Sequence, residues 1–139
     1  MQFRKSIKHQ KNNYMKTKKV LWGIALLVLF SVNVQAQKKQ TLTDEEQVQE
    51  AVTKEIDELF TSKDFLKIKA KKYADVKGTM VFDVGVVQNG KVSTFFKVDS
   101  DIKNIDFINW MSDYILKHKF FFKLQKQQRY KIRYTATFE

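Results

Sequence analysis

The chain contains no cysteine and no proline, only four glycines and only two histidines in 139 residues. Without sulfur of that kind there is no disulfide framework, no thiolate metal site, no cysteine nucleophile and no lipid-modified N-terminal Cys. Without proline there is no polyproline spacer, because that extended geometry depends on the fixed proline φ. His9 lies in the basic head, which leaves His118 alone in the rest of the chain. A histidine cluster for zinc and a Cys/His catalytic pair are therefore excluded.

Positive charge is plentiful, with a formal net charge of +11, and its position decides its meaning. Arg4, Lys5, Lys8, Lys11, Lys16, Lys18 and Lys19 precede Ala36 with no acidic residue among them. An unbroken apolar run, Val20 to Phe30, follows at once, and then Ser31-Val32-Asn33-Val34-Gln35-Ala36. A basic head, a short apolar core and a small residue at the cleavage position describe a secretory signal, expected at 1–36 with cleavage after Ala36. The run is short against the about 20 apolar residues that span a bilayer. Extended through Val32 and Val34 it reads instead as an uncleaved anchor at 20–34. Either way the basic head stays inside and the remainder faces the periplasm or the exterior. Met15 begins a more typical signal than Met1, so 1–14 also reads as an upstream start. Beyond Ala36 the excess is only +4, which removes the argument for a nucleic-acid partner.

Residues 37–42 are polar and are expected to form a disordered lead-in. Thr43-Asp44-Glu45-Glu46 has the form of a capping box, and Val48, Ala51, Val52, Ile56, Leu59 and Phe60 follow at helical spacing. This predicts a helix from Thr43 to Phe60, the first part of an N-terminal helical region at 43–77. Ser62 to Lys77 is less regular and is compatible with a short helix or an extended arm. Met80, Phe82, Val84 and Val86 alternate along a strand, Asn89-Gly90 supplies a tight turn, and Val92, Thr94, Phe96 and Val98 alternate along the return strand. Asp99-Ser100-Asp101 offers helix caps before the stripe Ile105, Ile108, Met111, Ile115 and Leu116. Phe120, Phe122 and Leu124 begin another extended piece, and Tyr130, Ile132, Tyr134, Ala136 and Phe138 form the cleanest alternating strand in the chain. The fold class is α+β: a helix, then a ββαβ core with an antiparallel sheet at 78–139.

The order Gly78-Thr79-Met80-Val81-Phe82, Asn89-Gly90-Lys91-Val92, Val98-Asp99-Ser100, Phe120-Phe121-Phe122-Lys123 and Tyr134-Thr135-Ala136-Thr137-Phe138 resembles the C-terminal domain of TonB-type energy transducers. The resemblance implies a ββαβ fold and recognition of a partner's extended segment at a sheet edge. The chain departs from that family in having Leu124-Gln125 where a proline usually follows the aromatic exit, no proline-rich linker, and no histidine in Val20 to Phe30. A chain without those parts lacks the reach and the coupling group of an energy transducer, which leaves a TonB-like module used for binding.

Candidate chemistry is sparse. His118 at a helix end suits the dipole as a surface residue. Asp99 and Asp101 are too few for a calcium loop and read as caps. Asp83 alternates away from the apolar face and is expected in solvent. Lys67, Lys69, Lys71 and Lys72 with Tyr73 could hold phosphate or anionic lipid, or form a solvated face. Of the adjacent aromatics, Phe95 or Phe121 is expected on a second packed face. No metal, cofactor or catalytic residue is assigned. The expected function is non-enzymatic binding of an envelope protein or extended peptide, through an edge formed by Tyr130, Lys131, Ile132, Arg133 and Tyr134, with the basic side chains favouring an acidic segment. The competing reading is a cystatin-like or NTF2-like domain that binds a small ligand or dimerises.

Overall fold

A computed structural model describes residues 38–139; the expected signal or anchor and the start at 1–14 lie outside the described residues. The fold is mixed α and β. Strand β1 is Gln40–Leu42, helix α1 Glu45–Phe60, helix α2 Lys63–Lys72, strand β2 Gly78–Val86, strand β3 Val92–Ser100, helix α3 Ile105–Leu116, strand β4 Phe122–Leu124 and strand β5 Tyr130–Phe138. A three-stranded antiparallel sheet has the order β3-β2-β5, and β1 pairs in parallel with β4. No helix among the described residues is long and apolar enough to cross a membrane.

The two periodicities build the core. Val48, Val52 and Ile56 of α1 and Phe107, Met111 and Ile115 of α3 are buried, each set four residues apart. They meet Met80, Phe82, Val84 and Val86 of β2 and Ile132, Tyr134, Ala136 and Phe138 of β5 on one face of the sheet. Phe65, the one buried residue of α2, stacks on Trp110 with ring centroids 4.8 Å apart. Ser62 caps α2 by accepting the Phe65 N–H, so the 62–77 stretch is helical in its first part.

Several details differ from the sequence reading. Gln40–Leu42 is a strand: it registers with Phe122–Leu124 and buries Leu42, so the lead-in is not disordered there. The cap of α1 falls one residue later than the box suggested. Asp44 accepts the Gln47 N–H at 2.9 Å, and the Gln47 side chain in turn accepts the Thr43 N–H. The β2–β3 turn holds three residues, Gln88 to Gly90, with the Gly90 N–H donating to the Val87 carbonyl at 2.9 Å and Gly90 at φ +81°. A side chain at Gly90 would collide with the carbonyls of Phe120 and Phe122, because this turn docks on the chain entering β4.

The register of β3 also departs from simple alternation. It shifts twice, near Val92 and near Val98, so Phe95 turns inward onto Phe82 at 4.8 Å while Phe96 is 67% exposed. Thr94, Phe96 and Val98 therefore do not form the buried face. Phe95 takes the core role, and Phe121 is exposed, with the Lys39 ammonium 5.8 Å from its ring centroid. Helix α3 is capped by Asn104, whose side chain accepts the Phe107 N–H at 3.0 Å. Asp99 and Asp101 are not its caps: Asp101 accepts the Thr79 N–H at 2.6 Å, and Asp99 accepts the Ser100 N–H. Ile105 and Leu116 stay exposed, because the buried stripe of α3 runs through Phe107 instead.

Candidate functional site

Strand β5 registers residue by residue with β2 from Gly78↔Phe138 to Val86↔Tyr130 and pairs with no other strand among the described residues. It is a nine-residue sheet edge. The carbonyl of Arg133 accepts from the Gln49 amide of α1 at 3.2 Å, so it points away from β2. By the two-residue period of an antiparallel ladder, Lys131, Thr135 and Thr137 turn their backbone polar groups the same way. Such unpaired groups are a template for another strand.

The five residues of the expected edge divide by face. Ile132 and Tyr134 point into the core, and Tyr130 is half-buried, its hydroxyl donating to the Thr43 carbonyl at 3.4 Å. Lys131 and Arg133 lie on the outer face, where neither is unpaired. Arg133 grips Asp83 with two bonds, Nε to Oδ1 at 2.9 Å and Nη2 to Oδ2 at 3.2 Å, and the Lys131 ammonium is 3.8 Å from Asp83 Oδ2. The basic face expected to select an acidic peptide is therefore not unpaired: its two cations share the one carboxylate of Asp83. Asp83 itself is 5% exposed rather than in solvent, because its cross-strand neighbours fold over it although its strand position faces outward. The Arg133 hydrogen bonds hold its carboxyl below the usual range, outweighing the opposing effect of burial.

Beyond Arg133 the edge runs beside a groove of about 390 Å³. Its apolar wall is Phe60, Phe65, Leu66 and Phe138, with Lys69, Asp57 and Glu139 as charged members. Helix α1 supplies Asp57, which accepts the Tyr134 hydroxyl; burial first, and then this bond, raise the Tyr134 pKa well above that of a free phenol. Helix α2 supplies Leu66, which is 49% exposed, although nothing in its sequence neighbourhood predicts an unpartnered leucine. The Tyr130–Arg133 half of the edge is thus tied to α1 and to the residue Thr43 just before it, and the Thr135–Phe138 half lies beside an apolar recess.

His118 is occupied structurally. His118 Nε2 is 3.1 Å from Glu55 Oε2, and the same carboxylate accepts the Phe121 N–H at 2.9 Å, so His118 ties α3 to α1 instead of standing free at a helix end. No three His, Asp or Glu side chains among the described residues are placed to hold a metal ion. Gln49, Asp57, Leu66 and the Asp83–Arg133 pair went unrecognised in the sequence, because their partners lie far along the chain and only the strand and helix packing brings them together. Comparison with family models, with curated proteins and with solved structures finds no match to this chain.

Proposed function

We propose that this protein is an exported, non-enzymatic binding module of the cell envelope that captures an extended peptide by adding it as a fourth strand beside β5. The observation that carries this reading is the conjunction at Thr135–Phe138 of an unpaired strand edge with an apolar groove alongside it. Backbone hydrogen bonds from an incoming strand supply affinity, and a side chain lodged against Phe60, Leu66 and Phe138 supplies selectivity. The groove favours an aliphatic or aromatic residue over an acidic one. Export rests on the basic head and the apolar run at Val20 to Phe30, and the TonB-like order of motifs agrees with capture at a sheet edge.

A proline tests the edge if it replaces an outward N–H. Ile132 is unsuitable, since it points inward opposite Val84 and its loss would break the ladder. Thr135→Pro removes a donor from the open side only. Panning a library of extended peptides against the intact chain should enrich sequences with a large apolar residue. Binding of the enriched peptides should be abolished by Thr135→Pro and weakened by Leu66→Arg, with circular dichroism unchanged. Equal binding by a folded Thr135→Pro variant refutes the reading.

A further inference from the structure

The charge of the folded unit is unevenly placed. The ten residues of α2 hold Lys63, Lys67, Lys69, Lys71 and Lys72 against Asp64 alone, a net +4, whereas the rest of residues 38–139 carries 14 basic and 14 acidic side chains. The whole excess therefore sits on one short helix. None of these five lysines lies within ion-pair distance of a carboxylate among the described residues. The burial of Phe65, with Ile68 and Lys69 half-buried, fixes the helix's inner side and leaves Lys63, Leu66, Lys67, Ala70 and Lys71 outward. Between α2 and α3, Lys67, Lys71 and Lys72 line a recess of about 510 Å³ with Ile68, Tyr114 and Asp64.

We propose that α2 docks this domain onto an anionic phospholipid surface, with headgroup phosphates among Lys67, Lys71 and Lys72 and with Leu66 in contact with the acyl boundary. Ammonium groups concentrated on one helix, with Asp64 the one carboxylate beside them, are attracted to a negative leaflet. The composition of the outward stripe separates lipid from nucleic acid. An apolar leucine among lysines gains by entering a membrane interface, whereas single-stranded nucleic acid rewards exposed aromatic rings on which bases stack; the outward stripe has none, and the one aromatic of the recess, Tyr114, is half-buried. The lysines of this proposal are separate from β5, since Lys67, Lys71 and Lys72 do not line the groove beside it; Leu66 alone is common to both surfaces.

The absence of cysteine allows one reporter to be placed at will. Ala70→Cys in the full chain, carrying an environment-sensitive fluorophore, reads α2 locally whatever the basic head does. The emission should shift to the blue with vesicles of equal parts phosphatidylglycerol and phosphatidylcholine, stay unshifted with phosphatidylcholine alone, and return at high salt. Each lysine is worth about fivefold in apparent affinity, so K67Q/K71Q/K72Q should weaken the response about 100-fold. A label at Thr94→Cys, on the opposite face of the sheet, should not respond. An equal shift on neutral vesicles, an undiminished response in the triple variant, an equal shift at Thr94→Cys, or a stronger response to a DNA oligonucleotide than to vesicles would each overturn the proposal. Thr135→Pro should leave the response intact, so failure of edge capture and failure of docking are read separately.

Discussion

At Asp83 a charged side chain sits on a strand, 5% exposed, beneath an arginine that is itself 62% exposed along its side chain. Its partner is the residue directly opposite in register, Arg133, and opposite charges in that position reinforce the strand pairing. The bond lowers the Asp83 pKa below its ordinary value of 3.8. A carboxyl with a depressed folded-state pKa contributes stability above its unfolded pKa and loses it as pH falls through the folded value. Asp83→Asn should therefore lower the urea midpoint at neutral pH, with the gap to the parent protein closing below about pH 4. A gap that stays constant down to pH 2 would show that the pair contributes nothing through its charge. Alternation correctly placed Asp83 outside the core, but its cover comes from a strand 50 residues away in sequence.

Among the elements, α2 depends most on a single contact. Its ten residues bury one side chain, Phe65, which lies against Trp110 and Tyr114 of α3 and against Phe60 and Phe138. Phe65→Ala should cost about 3–5 kcal/mol, the usual range for an aromatic truncated in a core. The amides of Lys63–Lys72 should then exchange with solvent fastest among the helices, as measured by hydrogen exchange at neutral pH. Protection equal to that of the parent would mean that the Ser62 cap and the following turn suffice to hold the helix. The sequence left this segment as either a helix or an arm, because its lysines obscure the stripe and its single anchor gives no period to read. By contrast β2, α1 and β5 were plain, since each repeats its apolar residues several times at the spacing of its element.

For the whole molecule, β1 and β4 join the start of the folded unit to the segment before its last strand, Gln40 beside Phe122 and Leu42 beside Leu124. Leu42 is buried there, and Phe120 and Phe122 stack with centroids 5.3 Å apart next to the Gly90 turn. Deleting residues 38–42 should remove this small sheet and the burial of Leu42, worth about 2 kcal/mol. A lower melting temperature by calorimetry is the expected result, and an unchanged one would assign β1 no part in holding the end of the hairpin. Polar composition alone marked this stretch as a loose lead-in, because a three-residue strand has too few side chains to show a period.

The sequence by itself determined the class of fold, the inward residues of α1, β2 and β5, and the sparseness of catalytic parts, since all of these depend on residue types and on spacings within one element. It also located most of the excess charge on the basic head. Only the tertiary structure decided what those elements do to one another. The register shifts of β3 exchanged Phe95 for Phe96, the packing of α1 tied Gln49 and Asp57 to β5, and α2 settled beside Phe138 to open the groove. The physical reason is reach: a period reports which face of a strand or helix is apolar, whereas an uncovered edge, a shielded charge or a recess is made by side chains from elements far apart in the chain.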